Sequence, residues 1–185
     1  MNSIKDILVN IQKIISLDSL NTEIEGKILS DILSANGICN KEIFELYDYC
    51  NGSNYYVDVE YKGIKFSSFG YILKVEDALQ IYNEEFLEFK QKKLFPIIAD
   101  FAGDYLLIST DKENCGVYIY SPALFIIEPE IIFESFISFL SMIFTCYQLN
   151  VYTISDNQLI EDIDAESTIF NMQDKTYSNW VIGNK

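Results

Sequence analysis

Along the N-terminal part of the chain, apolar residues return at the spacing of a single helical face; further on they alternate as strands do. Ile4, Ile7, Leu8, Ile11, Ile14 and Ile15 draw one apolar stripe along residues 3–17, with Ser3 placed to cap it and Asp6 in its first turn. Leu20, Ile24, Ile28 and Ile32 predict a second helix over 20–35, capped by Asp18 or Ser19. Asn36-Gly37 stops it, because a left-handed residue closes a helix and glycine enters that region without a Cβ clash. Ile43, Phe44, Leu46 and Tyr47 predict a third helix from Asn40 to Asn51-Gly52. Together these form an N-terminal helical layer.

From residue 55 the period shortens to two. Tyr55, Val57 and Val59 alternate, Lys62-Gly63 turns the chain, and Ile64 and Phe66 resume, which predicts a hairpin. Residues 69–73 add a short strand. Helical spacing returns from Glu76 through Leu79, Ile81, Tyr82, Phe86, Leu87 and Phe89 to Lys90-Gln91-Lys92-Lys93, acidic at its start and basic at its end, as the helix dipole favours. Residues 94–122, LFPIIADFAGDYLLISTDKENCGVYIYSP, read as three short strands. They turn at Ala102-Gly103-Asp104 and again over Asp111 to Gly116. Ala123 to Ile127 predicts a further strand that Glu128-Pro129-Glu130 breaks, and 131–147 predicts a long apolar helix. Residues 151–185 are less regular, with Trp180 expected to pin the tail to the body. Helices first and clustered strands afterwards point to an α+β fold, and turns this short join antiparallel strands. With no repeat, low-complexity tract or linker, the chain reads as one domain over 1–185.

Three motifs in this order resemble the SUKH superfamily, the Smi/Knr-type immunity and cell-wall-regulator proteins. They are the helix end Leu46-Tyr47 to Asn51-Gly52, the Phe95-Pro96 strand followed by Gly103-Asp104, and the strand Gly116-Val117-Tyr118-Ile119-Tyr120. The resemblance covers roughly 40–145 and leaves 151–185 as a C-terminal extension. It departs at Phe101-Ala102, where many members have a glycine-rich turn. The resemblance implies a single SUKH-like domain, a mostly antiparallel sheet flanked by helices, with Asn51, Gly52, Pro96, Gly103 and Asp104 as its structural signature. It also implies an immunity protein that binds a cognate bacterial polymorphic toxin, a nuclease, and neutralises it by stoichiometric occlusion. The alternative within the same resemblance is a Smi/Knr-like regulatory scaffold that binds a protein without any toxin.

Charge sharpens this expectation. Thirteen basic residues stand against 28 acidic ones, for a net charge of -15. Such a surface repels a phosphate backbone, so direct nucleic-acid binding is not expected, and it suits a basic protein partner or simple solubility. Every basic residue is a lysine, and histidine and arginine are both absent. Ser-His-Asp and Cys-His catalysis are therefore excluded, and the commonest zinc ligand is missing. No P-loop, G-x-G-x-x-G, H-E-x-x-H or G-x-S-x-G occurs. The chain is expected to be no enzyme and to carry no cofactor or metal. Cys39, Cys50, Cys115 and Cys146 form no C-x-x-C pair and are expected to be buried free thiols of a cytoplasmic protein. No leader is expected, since Asp6 interrupts the apolar N-terminal run. The apolar run 131–144 carries Glu134 and is shorter than the ~20 residues of a membrane span, so no membrane association is expected.

Candidate residues follow. Asp100 and Asp104 could hold a cation or act as an acid–base pair. The turn supports a plainer expectation, in which Asp104 accepts from turn amides and Asp100 leads into it. Asp111-Lys112-Glu113-Asn114 resembles the start of a calcium loop, but its twelfth position is Pro122 rather than glutamate, so a hairpin tip is expected. For partner binding, the candidates are Tyr55, Tyr56 and Tyr61 as exposed rings of the first hairpin, Asp111 and Glu113 at the hairpin tip, and Glu161, Asp162 and Asp164 in the acidic run 161–166. Oligomeric state is left open by the sequence.

Overall fold

Helix α1 (Ile4–Ile15) forms on the predicted stripe, and Ser3 Oγ accepts from the Asp6 amide at 3.1 Å as its cap. The computed structural model that shows this describes residues 3–15, 20–22, 26–55, 63–100 and 102–178. Helix α2 (Gly26–Ala35) begins later than predicted. Leu20 is not helical: it bridges Ser53, and the Asn21 amide donates to the Gly52 carbonyl at 2.9 Å. Partners in the exit of the next helix replace the intrahelical bonds that Leu20 and Asn21 would have made. Asp18, Ser19 and Ile24 lie outside the described residues. The α2 stop is as expected: Gly37 sits at φ 78°, and the Gly37 and Ile38 amides donate to Ser34 and Leu33. Helix α3 (Lys41–Tyr49) follows, capped by Asn40.

Five antiparallel strands make the central sheet in the order β1-β2-β3-β4-β5: β1 (Tyr71–Ile72), β2 (Leu94–Ala99), β3 (Tyr105–Ser109), β4 (Val117–Ser121) and β5 (Ile126–Phe133). The fold is α+β, a mostly antiparallel sheet flanked by helices. Most of the predicted first hairpin, 56–62, lies outside the described residues, and the 69–73 strand shrinks to β1. Pro96 sits inside β2, and the β2–β3 register slips between Pro96 and Ile98 because proline has no amide for the ladder.

The single helix predicted over 76–93 is three pieces: α4 (Val75–Gln80), a π-helical segment (Ile81–Glu85) and α5 (Leu87–Gln91). Phe86 leaves helical geometry at φ −123°, ψ 73°, and its ring packs against Phe89, Tyr105 and Tyr120. Contact with the sheet thus overrides helix continuity. Strand β5 also differs from the prediction, since it runs through Glu128-Pro129-Glu130 instead of ending there. An edge position tolerates the missing proline amide. Residues 131–133 belong to this strand, so helix α6 (Phe136–Gln148) starts later, capped by Ser135. Among the described residues no helix is long and apolar enough to cross a membrane.

The C-terminal part is more regular than its pattern. Strands β6 (Tyr152–Ser155) and β7 (Gln158–Glu161) form a hairpin through Asp156 and Asn157, both at positive φ, and helix α7 (Ile163–Gln173) follows. Trp180 lies outside the described residues. One hydrophobic core runs from Ile4 to Phe170, with α1 against α3 and α6, and α4 and α5 against β2. Only two of the four free cysteines match the expectation of burial. Cys50 and Cys146 are buried, and burial pushes both thiols up to about 12, which makes them inert; Cys39 is exposed and Cys115 partly so.

Gly52 and Gly37 separate two costs. Both have positive φ, but a Cβ on Gly52 would stand 2.5 Å from the Leu73 carbonyl oxygen, whereas Gly37 faces open space. Gly37→Ala is expected to cost about 1 kcal/mol and Gly52→Ala about 3 kcal/mol or more, read from urea unfolding. Equal losses would show that the close approach of α3's exit to the sheet is not a constraint.

Candidate interaction surface

Strand β5 is one margin of the sheet, and the segment that leads into it is the least buried apolar part of the described chain. After β4, Ser121 caps a short 3-10 turn (Pro122–Leu124) by accepting from the Leu124 amide at 3.3 Å. The turn ends on Phe125 in the left-handed region, φ 62° and ψ 18°. That conformation costs a residue with a Cβ about 1–2 kcal/mol. Yet the Phe125 side chain is not fixed by packing, being 91% exposed. Leu124, Ile127 and Ile131 beside it in sequence are exposed as well. Glu128 and Glu130 are exposed among them, and the Glu128 carboxylate pairs with Lys92.

The strand is poorly suited to extend the sheet. Pro129 interrupts its donors, and the register with β4 shifts twice, once on either side of the Tyr118–Ile119 pairs. Such breaks blunt an edge against strand pairing. What β5 and its lead-in present is therefore side chains: an apolar patch with acidic residues set into it. At the opposite margin, β1 is two residues long and covered, since Ser53 both donates to the Ile72 carbonyl and accepts from the Ile72 amide.

A cavity of about 130 Å³ adjoins the patch at Leu124. The cross-strand pair Leu106 and Ile119 lines it, with Ser68 and Phe69 from the turn before β1 and Asp100 and Asp104 from the β2–β3 turn. The roles of the two aspartates are the reverse of the expectation. Asp100 Oδ1 accepts from the Ala102 amide at 2.8 Å and the Asp104 amide at 3.1 Å, while Asp104 Oδ1 is buried with no hydrogen-bond partner among the described residues. Gly103, at φ 105°, supplies the turn geometry.

Behind Ser68 lies a buried carboxylate. Glu166 accepts from the Ser68 and Tyr152 hydroxyls and ties α7 and β6 to the turn before β1. Burial pushes the Glu166 carboxyl up, against the lowering by those hydroxyls, and pushes the Tyr152 phenol up. Among the described residues, no group of three or more cysteine, aspartate or glutamate residues is arranged to hold a metal ion.

The predicted partner-binding residues scatter. Tyr55 is not an exposed ring: it is buried, its hydroxyl donates to the Asp77 carboxylate and accepts from the Lys74 amide at 3.0 Å, and Lys74 Nζ lies over its ring. The phenol reaches the start of α4, where both groups need a partner, and that draws the ring inward. Tyr56 and Tyr61 lie outside the described residues. Asp111 and Glu113 are exposed on the β3–β4 turn, with Asp111 paired to Lys93 at 3.2 Å. That turn is at the other end of β3 and β4 from Phe125, about 15 Å away at ~3.3 Å per residue. Glu161, Asp162 and Asp164 are exposed, but Asp162 caps α7 through the Ala165 amide at 3.0 Å and Asp164 sits in its first turn. Phe125, Ile127 and Ile131 were missed. Their signal was an apolar run interrupted by proline and flanked by glutamates, the composition of an edge strand.

No protein-family model matches the chain, and no curated protein matches it.

Two outcomes test this surface. Phe125→Asn places a residue that tolerates left-handed backbone where little packing is lost, so stability is expected to rise by about 1 kcal/mol in urea unfolding. A loss of stability would make Phe125 a structural residue. For Glu166, the folded-state pKa lies above the ordinary value of 4.5, so the native state holds the proton longer than the unfolded chain. Its contribution is full below 4.5 and is lost as pH rises through the raised value. Between about pH 5 and about pH 8, wild type is expected to lose more stability than Glu166→Gln. Parallel pH profiles would refute the assignment.

Proposed function

We propose that this chain is an immunity-type protein that binds a basic bacterial toxin domain, a nuclease, and neutralises it by occlusion, with the Phe125 patch as its apolar anchor. The observation that carries the reading is Phe125 itself, 91% exposed in a strained backbone conformation and flanked by exposed Leu124, Ile127 and Ile131. Aromatic residues that seat in a partner's pocket supply most of the affinity of protein interfaces. A non-glycine residue held in a costly conformation without packing to fix it points to a task beyond folding.

Two further features support it. The net charge of -15 suits a cationic partner and would speed encounter with the nucleic-acid site of a nuclease. The resemblance to the SUKH superfamily supplies the toxin. Of the residues that carry the resemblance, Gly52 packs against the Leu73 carbonyl, Pro96 lies at the β2 slip and Gly103 shapes the β2–β3 turn. That leaves the partner surface to other residues.

The test is co-expression with the toxin domain encoded beside the gene, scoring growth rescue and co-purification at low and high salt. Rescue with a salt-sensitive complex is expected. Phe125→Ser is expected to weaken the complex by at least roughly 30-fold, a hot-spot loss, while the unfolding midpoint does not fall. No rescue and no complex would remove the toxin from the reading and leave the protein-binding scaffold. A complex indifferent to Phe125→Ser would place the interface elsewhere.

A further inference from the structure

Among the described residues β6 and β7 pair only with each other, so this hairpin and α7 form a unit outside the main sheet. The unit leaves the body where α6 ends and Asn150, at φ 56°, turns the chain toward β6. It packs on α6, and Phe170 of α7 lies against Phe69 and Phe133. At the far end of α7, Asp174 accepts from the Glu134 amide and the Ser138 hydroxyl. Between these attachments stands Glu166, buried, which accepts from Ser68 on the body and from Tyr152 within the unit. The Ser68 amide also donates to the Tyr152 hydroxyl, at 3.4 Å. No lysine is among the hydrogen-bond partners of Glu166. A buried carboxylate held by two hydroxyls and no cation is a costly fastening. Glutamine would accept the same two bonds with no charge to bury, so the carboxyl brings a dependence on protonation that the packing does not need.

We propose that the β6–β7–α7 unit is a latch that opens from the body as one piece, with the Glu166 carboxyl as its catch. The proposal is independent of the toxin reading. The titratable groups around the carboxyl are Tyr152 of β6, Cys146 of α6, Glu161 of β7 and Tyr177 beyond α7. None of them is a cation at neutral pH. Burial raises the Glu166 carboxyl above its ordinary 4.5, Glu161 adds to the rise, and the Ser68 and Tyr152 hydroxyls oppose it. The closed latch therefore holds the proton longer than the open one. Its hold is full below 4.5 and weakens as pH rises through the raised value. Opening uncovers Ser68 and Phe69, which wall the cavity beside Leu124, and the buried Cys146 thiol on the α6 side of the carboxyl. The pH dependence then falls on a local opening that precedes unfolding of the sheet.

The two buried thiols of the chain report the opening. The full chain is labelled with 4,4′-dithiodipyridine under native conditions, and the rate at each cysteine is followed by peptide mass. Each rate is divided by that of the same thiol in the urea-unfolded chain at the same pH, which removes the chemistry of the thiol itself. Cys146 lies under the unit, whereas Cys50 lies at the exit of α3. Cys146 is expected to react at least about tenfold faster than Cys50, because a local opening costs less than global unfolding. Between about pH 5 and about pH 8 the relative rate at Cys146 is expected to rise at least about threefold, and Glu166→Gln to flatten that rise. Ser68→Ala removes one donor from the catch and is expected to raise the Cys146 rate at fixed pH by at least about threefold. Equal protection of Cys146 and Cys50, a Cys146 rate indifferent to pH, or an unchanged pH profile in Glu166→Gln would each overturn the proposal. Ser68→Ala carries the test if Glu166→Gln does not fold, and an unchanged Cys146 rate in it would overturn the catch.

Discussion

The buried side chain of Asn40 makes three hydrogen bonds at once: it accepts from the Glu42 amide at 2.8 Å and donates to the Ser109 and Asn114 carbonyls at 2.9 and 3.0 Å. It caps α3 and fastens that helix to the end of β3. At the other end of α3, Asn51 accepts from the Val75 amide at 2.8 Å and donates to the Glu76 carboxylate. Between them Tyr47 donates to the Leu73 carbonyl at 3.0 Å. A buried amide stripped of its partners costs about 1–3 kcal/mol, so these bonds are satisfied together or the helix does not dock. The two asparagines therefore set the register between helical layer and sheet. Gly52 then lets the backbones approach, and α4 starts where Asn51 holds it.

That clamp joins α3 to the end of β3 and to the segment after β1, and it leaves Ile127 and Ile131 of β5 exposed. The chain protects this margin from strand pairing by Pro129 and by slipped register, yet does not make it polar. Protection from aggregation and retention of apolar side chains are opposed requirements unless the side chains have an occupant. The left-handed Phe125 fits the same logic: Pro122 and the Ser121 cap impose the turn, and asparagine or glycine would fill its last position at lower cost. Stability and binding are thus in tension at one residue.

Local pattern made α1, α3 and β4 legible because in each a single apolar face is buried, and β2 and β3 legible as continuous apolar runs bounded by turns. Where tertiary contacts decide, the pattern misleads. Leu20 looks helical but answers to Ser53, and Phe86 continues a helical stripe yet leaves the helix to reach Tyr105 and Tyr120. Tyr55 resembles a surface ring because nothing in its neighbourhood reveals that Asp77 waits on another element. The β6–β7 hairpin was hidden because its strands are four residues long: Tyr152 and Ile154 alternate with Thr153 and Ser155, but Leu159 and Ile160 are adjacent, so the alternation is too brief to read. Phe125 was hidden for the opposite reason: an exposed phenylalanine has the same letter as a buried one, and only the structure separates them.

Acidity alone is a poor guide to the interface, for a reason visible in where the carboxylates point. Glu42 accepts from the Phe136 amide at the start of α6, Asp162 caps α7, and Asp174 accepts from the Glu134, Thr176 and Tyr177 amides and from the Ser138 hydroxyl. These charges are directed at helix starts and turns, where they stabilise the fold. Asp111 and Glu128 are exposed but paired with lysines, and exposed pairs of this kind contribute about 0–1 kcal/mol. At physiological salt the Debye length is ~8 Å, so charge on the β3–β4 turn, about 15 Å from Phe125, is screened from a partner docked there. The net charge can raise the frequency of encounter with a cation-rich protein, but it carries little information about orientation. Orientation has to come from groups that lose water on docking, and in this fold the exposed ring of Phe125 meets that description, with Leu124 and Ile127 beside it.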